Sequence, residues 1–248
     1  MYKRFIENKK VVCFDLDGTI VNSEPLFAWA FSNVLNLANP DIELGQVYGR
    51  PGESLYDKWA RIVDGNLVKN TMTIKDLTEN TYQEFLKLIN TNRFEPREGF
   101  WELTYKLKQE IGLQLALTTN TPKAIAQQEV ARLEIENAFD FMIFGDDVKR
   151  KKPNPEIYVK TASHFKVKPQ EMLVFEDSIP GTQAASKAGS SLIVVWDTQT
   201  PKNLFPSETL TYITDFFGLA NTIEYTADED LERFKKAVAE VQRHQTQK

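Results

Sequence analysis

The chain has 248 residues, 42% of them hydrophobic and 26% charged, which suits a globular protein of one large or two smaller domains. Its formal net charge of −5 disfavours nucleic acid or an anionic membrane as the main partner, because such partners select basic faces. Cys13 is the only cysteine and no apolar run reaches membrane-spanning length, so we expect a cytoplasmic protein without disulfides.

The first predicted element is a strand that starts at Val11 and ends in two carboxylates, Asp15 and Asp17, before a turn at Gly18. The glycine turn can swing Asp17 back beside Asp15 at the carboxyl end of the strand, where open α/β sheets bind ligands. Two neighbouring carboxylates repel each other, so such a pair usually holds a cation or shares a proton. The alternative is a plain surface turn of the Asp-Gly type.

A long helical region follows this strand. A first helix is predicted to start at Ser23, an N-cap residue, and two more are predicted around Trp59 and Phe85 from the spacing of apolar residues. Residues 24–94 are therefore predicted to be all-helical, and an ordinary α/β crossover is much shorter. We expect them to form a helical subdomain inserted into residues 1–23 and 95–248.

Strands and helices alternate after Pro96. Near-continuous apolar strands separated by amphipathic helices indicate a parallel sheet covered on both faces, so the fold class is a doubly wound, Rossmann-like α/β core with an inserted helical domain. Residues beyond 226 are predicted to form a terminal helix. The predicted strands cover 113–119, 139–144, 172–176 and 191–196, and the predicted helices cover 100–110, 122–133, 153–165 and 180–188.

Three polar stretches lie at the ends of these strands. Thr119 and Asn120 precede a helix start, where donors suit a phosphate oxygen, although a plain helix cap fits as well. Lys152 ends a basic run that is otherwise typical of a solvated surface. Glu176 and Asp177 follow an apolar strand, and such hard oxygen ligands suit Mg²⁺, although a capped helix start is the alternative.

These stretches together resemble the four motifs of the haloacid dehalogenase-like hydrolase superfamily, in order and with similar spacing. Residues 15–19 match DxDGT, Thr119 matches the second motif, Lys152 matches the lysine of KPxPE, and residues 176–181 match EDSxxG. The helical insertion lies where subclass I of the superfamily has its cap. Residues 22–26 resemble the DSEPL run of the β-phosphoglucomutase and phosphoglycolate phosphatase branch, with Asn22 in place of the aspartate.

The resemblance implies a Mg²⁺-dependent phosphatase for a small phosphorylated metabolite of the sugar phosphate, phosphoglycolate or nucleotide class, and a monomer or dimer. It implies that Asp15 is the nucleophile, that Asp17 is the acid and base, and that an aspartyl-phosphate forms. The implied phosphate ligands are Thr119, Asn120 and Lys152. The implied metal ligands are Asp15, the backbone carbonyl of Asp17 and Asp177. Glu176 is implied to lie next to these ligands without binding the metal directly.

Other activities of the superfamily fit less well. Haloacid dehalogenases lack the second acid that Asp17 supplies, and the phosphonate-cleaving branch needs a lysine that residues 23–40 do not contain. Sugar phosphomutases carry a histidine where this chain has Phe27. A phosphomutase and a non-catalytic phosphate-binding protein remain the alternatives.

A glycine-rich loop at residues 48–52 is the predicted contact for the leaving group. Glycines let the loop approach a ligand, and Arg50 offers a cation. The alternative is a plain turn between helices with Arg50 in solvent.

Overall fold

A computed structural model describes residues 6–42, 44–47, 53–69 and 71–223. The strands are β1 (Val11–Phe14), β2 (Gln114–Thr118), β3 (Phe141–Ile143), β4 (Met172–Glu176), β5 (Ser191–Val195) and β6 (Thr211–Ile213). The helices are α1 (Glu24–Ala38), α2 (Leu55–Asp64), α3 (Ile74–Thr91), α4 (Phe100–Tyr105), α5 (Lys123–Leu133), α6 (Glu156–Phe165), α7 (Ile179–Ala188) and α8 (Leu219–Thr222). None of the helices within the described ranges is long and apolar enough to cross a membrane.

The strands form one parallel sheet in the order β3-β2-β1-β4-β5-β6. From β1, the chain adds β2 and then β3 towards one edge of the sheet. It then returns to the other side of β1 and adds β4, β5 and β6 towards the opposite edge. The direction of strand addition therefore reverses between β1 and β4. Open α/β sheets bind ligands outside the carboxyl ends of the strands at such a point. The predicted doubly wound parallel sheet is therefore confirmed.

Strand β1 is buried on both faces, which explains its uninterrupted apolar sequence. Val12 and Phe14 face one hydrophobic cluster, whereas Val11 and Cys13 face the other. Phe14 stacks on Phe175 of β4 with ring centroids 4.9 Å apart. Three further rings pack edge-on against Phe14, from Phe100, Phe139 and Phe216. This aromatic group fills the core directly beneath the carboxyl end of β1.

Helices α1 to α3 lie between β1 and β2 in the chain, within the residues 24–94 that were predicted to be helical. They share a hydrophobic cluster that includes Phe31 and Trp59, separate from the two clusters on the sheet. The Trp59 indole donates to the Thr81 hydroxyl at 3.0 Å, so the polar group of the largest buried side chain is satisfied. Helix α3 also contributes Phe85 to the main core, which attaches the insertion to the sheet.

Several boundaries differ from the predicted ones. The helix expected at 153 begins at Glu156, after the second of two closely spaced prolines, and the helix expected over 100–110 changes from α to π at Lys106. The edge strand β6 was not predicted, because its three residues do not form an apolar run like the one that predicted β3. The predicted terminal helix beyond 226 lies outside the described residues.

Replacing Phe14 with alanine should destabilise the protein by about 3–5 kcal/mol, because the cavity would open beneath four packed rings. Urea unfolding measures the effect. Val159→Ala, at a side chain that is 49% exposed, is the control and should cost less than about 0.5 kcal/mol. Equal losses in both variants would contradict the assignment of Phe14 to the centre of the core.

Candidate active site

One buried ammonium joins the carboxyl ends of three strands. The Lys152 Nζ donates to Asp15 Oδ1 at 2.6 Å, to Glu176 Oε1 at 2.6 Å and to the Thr118 carbonyl at 2.8 Å. Asp15 directly follows β1, Thr118 ends β2 and Glu176 ends β4. The Lys152 side chain is only 2% exposed, so these contacts replace nearly all of its hydration. The sheet order therefore creates a fully ligated cation at its centre.

The Lys152 ammonium and the Asp15 carboxylate each favour the ionised form of the other. Burial alone would lower the pKa of Lys152, but the carboxylates of Asp15 and Glu176 outweigh it and raise that pKa well above its usual value. Burial raises the pKa of Asp15, and the Lys152 ammonium opposes that rise. The lysine is consequently a fixed positive charge that favours the ionised form of Asp15.

Asn120 holds the segment that carries Lys152. The Asn120 Oδ1 accepts the backbone N–H of Lys152 at 3.0 Å, and its Nδ2 donates to the Lys152 carbonyl at 3.3 Å. The Asn120 amide thus bonds the loop before α6. The other basic residues of this run, Lys149, Arg150 and Lys151, are exposed, as the sequence predicted.

Glu176 is buried and has protein partners on both carboxylate oxygens. Its Oε1 receives Lys152 and the Tyr158 hydroxyl, and its Oε2 receives three donors from Asp177 and Ser178. A Cβ at Gly181 would lie 1.8 Å from Oε1, so only glycine leaves room for this carboxylate. Glu176 therefore holds the Lys152 ammonium in place, and both of its carboxylate oxygens are occupied by protein donors.

Asp177 is the third carboxylate at this edge. Its Oδ1 accepts the Thr19 hydroxyl at 2.9 Å, and burial together with the carboxylates of Glu176 and Asp15 raises its pKa well above the usual value. Gly18 has φ +79°, and a Cβ there would lie 2.0 Å from Asp177 Oδ2. The turn at Gly18 therefore needs glycine both for its backbone conformation and for space.

The donor set of this cluster fits a divalent cation. Carboxylate oxygens of Asp15, Glu176 and Asp177 lie within 4.8 Å of one another, and Lys152 supplies a single positive charge. None of the hydrogen bonds in the described ranges reaches Asp15 Oδ2 or Asp177 Oδ2. Two open carboxylate oxygens and an excess of negative charge suit Mg²⁺.

Asp17 accepts a hydroxyl on each carboxylate oxygen. The Ser23 hydroxyl donates to Oδ1 at 2.6 Å, and the Thr121 hydroxyl donates to Oδ2 at 2.7 Å. Ser23 stands at the predicted N-cap position of α1, but its side chain makes no capping hydrogen bond there. Its hydroxyl turns inward to Asp17 because the loop after β1 brings the two residues together.

Thr119 and Arg50 complete the predicted site residues. Thr119 follows β2 at the same edge, is 1% exposed, and accepts the Thr121 backbone N–H on its hydroxyl at 3.0 Å. This bond shapes the turn that presents Thr121 to Asp17. Arg50 and the predicted loop at 48–52 lie outside the described residues.

Sequence reasoning missed several polar residues at this edge. Arg97 donates twice to the Gly18 carbonyl, at 2.7 and 3.2 Å, and once to the Thr214 carbonyl. Tyr158 reaches Glu176, and Thr19 reaches Asp177. Thr19 and Thr121 lie within the predicted motifs and could have been found there. Arg97 and Tyr158 carry no local signal, because their partners lie on distant segments.

A family model and the named relatives both indicate a hydrolase family. The family model of the haloacid dehalogenase-like hydrolases matches residues 12–195. A phosphorylated carbohydrates phosphatase of Thermotoga maritima is 33% identical over 187 residues, which cover 73% of this chain and 82% of the relative. A phosphoglycolate phosphatase of Nitrosospira multiformis is 28% identical over 196 residues, which cover 75% of this chain and 82% of the relative.

A solved structure is similar over nearly its whole length. It is a candidate β-phosphoglucomutase of Thermotoga maritima, with a TM-score of 0.70 and 26% identity over 86% of this chain and 97% of that chain. The β-phosphoglucomutase of Clostridium difficile, at 19% identity and a TM-score of 0.66, covers 94% of this chain and 98% of its own and shares the fold.

Lys152→Met should destabilise the protein by about 3–5 kcal/mol at neutral pH, because it leaves buried carboxylates without their cation. Asp15 would lose the charge that opposes the rise of its pKa, so the folded variant would bind more protons than the unfolded chain. Its stability should therefore fall as pH rises, and the deficit should be smaller at about pH 5 than at about pH 8. Urea unfolding at both pH values checks this.

The control for this prediction is Lys149→Met, which removes an exposed cation from the same run. It should change stability by less than about 0.5 kcal/mol at either pH. A deficit in Lys152→Met that stays constant with pH would refute the electrostatic explanation.

Proposed function

The chain belongs to the haloacid dehalogenase-like hydrolase family, and on that basis we propose that it is a Mg²⁺-dependent phosphatase that hydrolyses a small phosphomonoester. The observation that carries the proposal is the fixed Lys152 ammonium on Asp15 Oδ1, with Asp15 Oδ2 left open beside it. A carboxylate held in this way is oriented and charged for nucleophilic attack. A protein that only bound phosphate would not need a second acid, Asp17, in the same turn.

In the first step, an oxygen of Asp15 attacks phosphorus in line with the departing oxygen. The new bond joins Asp15 to phosphorus and the bond to the leaving group breaks. Asp17, protonated at this stage, gives its proton to the departing alkoxide, so the products are an aspartyl-phosphate and an alcohol.

In the second step, a water molecule attacks the same phosphorus from the side that the alcohol has left. Asp17, now ionised, takes a proton from this water, and the bond between phosphorus and Asp15 breaks. Inorganic phosphate and the original carboxylate of Asp15 are the products. Splitting one hydrolysis into two displacements lets the same acid serve first as donor and then as acceptor.

The phosphoryl oxygens need positive charge and donors throughout. We assign the positive charge to Lys152, in the loop before α6, and further phosphate contacts to Thr119 and Asn120, which follow β2. Asp15, Asp177 and the backbone carbonyl of Asp17 would hold Mg²⁺, and Glu176 would support them from behind. When bound, the ion offsets the repulsion between the nucleophile and the phosphate.

We assign the choice of substrate to a cap formed by residues 24–94, with residues 1–23 and 95–248 as the core. Support comes from the separate hydrophobic cluster of α1 to α3. Support also comes from Ser23, which directly precedes α1 and whose hydroxyl donates to Asp17 Oδ1 at 2.6 Å. The first helix of the insertion therefore starts at the site, where a cap can exclude water and contact the leaving group.

The substrate class follows from the named relatives and remains broad. They include phosphatases of phosphorylated carbohydrates and of phosphoglycolate, so we propose a sugar phosphate or phosphoglycolate. A nucleotide is the third class, which only the sequence resemblance implies. A phosphomutase is the second candidate, since β-phosphoglucomutases are among the similar structures. Phe27 weighs against it, because its ring packs on Phe85 with centroids 5.3 Å apart and offers no group for proton transfer.

A screen of phosphomonoesters with and without Mg²⁺ tests the proposed activity. Phosphate release that needs Mg²⁺ is expected, whereas a mutase would give an isomer of a sugar phosphate with little free phosphate. Asp15→Asn should lower release by a factor of at least about 10⁴ with an unchanged circular dichroism spectrum, because the amide is nearly isosteric but not nucleophilic. Asp64→Asn, at an exposed helix end, is the control. Substantial turnover by Asp15→Asn would refute the covalent mechanism.

Asp177→Ala should raise the Mg²⁺ concentration needed for half-maximal activity by roughly 10- to 100-fold, because one hard ligand is lost. Titration of activity with Mg²⁺ measures the midpoint, and Asp64→Ala provides the comparison. An unchanged midpoint in Asp177→Ala would show that Asp177 is not a ligand.

A further inference from the structure

The turn that carries Asp17 contains the residue that restricts a backbone least. Gly18 has φ +79°, and the Asp177 carboxylate leaves no space for a Cβ at this position. Glycine has access to more backbone conformations than any other residue, so the turn needs outside contacts to keep one of them. The hydrogen bonds of the two peptide groups that flank Gly18 therefore decide how rigid the turn is.

Both of these peptide groups are bonded, and Arg97 supplies one of the two partners. The Gly18 N–H donates to the Val21 carbonyl at 2.8 Å, within the turn itself. The Gly18 carbonyl accepts two N–H groups of the Arg97 guanidinium, from Nη2 at 2.7 Å and from Nε at 3.2 Å. A charged, planar group that donates twice to one oxygen holds that carbonyl more firmly than a single neutral donor would.

Arg97 is itself anchored on the core. Its Nη1 donates to the Thr214 carbonyl at 3.2 Å, and its backbone N–H donates to the Ile20 carbonyl at 2.7 Å. The next residue, Glu98, accepts the Phe216 N–H on its carbonyl at 2.9 Å. Thr214 and Phe216 follow the edge strand β6, and the Phe216 ring belongs to the aromatic group beneath β1. The loop after β6 therefore keeps the guanidinium in place beside the turn.

The contacts of Arg97 reach the site through the backbone. The three hydrogen bonds that its guanidinium makes within the described part of the chain all end on backbone carbonyls. The Gly18 peptide groups connect two side chains of the site, Asp17 before the glycine and Thr19 after it. Thr19 in turn donates to Asp177 at 2.9 Å. A rotation at Gly18 would therefore move the Asp17 carboxyl relative to the other acids.

We propose that Arg97 is a positioning residue that holds the Gly18 carbonyl in one orientation and thereby aligns the Asp17 carboxyl for proton transfer. The inference rests on the proposed function of Asp17 as acid and base. Ser23 and Thr121 bond the carboxylate itself, but they do not fix the main chain from which it projects. A proton donor that is misplaced by about 1 Å can lose roughly 10²-fold in rate.

The kinetic test replaces Arg97 with alanine and follows the hydrolysis of a phosphomonoester. We expect kcat to fall roughly 10- to 100-fold while KM changes by less than about threefold, because the proposed phosphate contacts lie on other segments. Arg93→Ala is the matched control, since this arginine side chain lies four positions earlier and is 86% exposed. It should leave both constants unchanged. An unchanged kcat in Arg97→Ala would overturn the proposal.

Added methylguanidinium distinguishes positioning from a general loss of stability. Arg97 is only half-buried, so the alanine variant leaves a space that a small cation can enter from solvent. At concentrations that do not unfold the protein, methylguanidinium should raise kcat of Arg97→Ala at least about fivefold by donating to the Gly18 carbonyl. The same concentration of sodium chloride should have no such effect. A variant that methylguanidinium does not activate would overturn the proposal.

Amide hydrogen exchange tests the same role without turnover. Arg97→Met keeps an apolar stem and removes the donors, and it should exchange about tenfold faster than the wild type over residues 15–21. Residues 172–176 of β4 should exchange at the rate of the wild type. Equal rates over 15–21, or an equal increase in β4, would overturn the proposal even in an active enzyme. The expected pattern in a protein that hydrolyses no phosphomonoester would support the role of Arg97 in the turn and refute the proposed function, so the two failures are distinguishable.

Discussion

The buried ion pairs of Lys152 are the constraint on which this site depends. A lone ammonium with 2% exposure would be prohibitively costly, and it is stable here because Asp15, Glu176 and the Thr118 carbonyl meet at one point. They meet because β1 lies between β2 and β4 in a parallel sheet. The same register that stacks Phe14 on Phe175 in the core brings the polar residues after these strands together above it. The register of the parallel strands therefore sets both the core packing and the geometry of the site.

The carboxyls around this cation differ in their partners, and this can give them different roles. Asp15 keeps one oxygen open, Glu176 has donors on both, and Asp17 receives two hydroxyls. Asp177 receives one hydroxyl, and Glu129 receives none from the described residues. Acids placed so close together cannot all ionise without a cation or a shared proton. The proposed Mg²⁺ at Asp15 and Asp177 would reduce this repulsion at the carboxyl ends of β1 and β4.

The two ends of the helical insertion are tied to each other at the site. The backbone N–H of Arg97 donates to the Ile20 carbonyl at 2.7 Å, and the Arg97 guanidinium binds the Gly18 carbonyl. Gly18 and Ile20 precede the insertion, whereas Arg97 follows it. The turn that carries Asp17 is therefore held by residues on both sides of the insertion.

Local patterns in the sequence were sufficient for most of the architecture. Apolar runs and helical spacing identified β1, β2, β4, β5 and the long helices, because periods of 2 and 3.6 residues are properties of each segment alone. An apolar run also identified β3, whereas the edge strand β6, which is as short, has no such run. The prediction that polar residues at strand ends form one site also followed from the sequence, since the carboxyl ends of parallel strands share an edge of the sheet.

The amino-acid sequence by itself determined which segments form strands and helices and which residue types stand at their ends. Only the tertiary structure decided the partner of each polar side chain, because Lys152 meets an acid 137 positions earlier in the chain and Thr121 meets one 104 positions earlier. Ser23 was predicted as a helix cap from its neighbours, yet its hydroxyl binds Asp17. Glu129 has the sequence context of an ordinary surface residue on an amphipathic helix, yet it is fully buried on α5. Hydrogen bonds and pKa values depend on distances across the fold, which no local pattern contains.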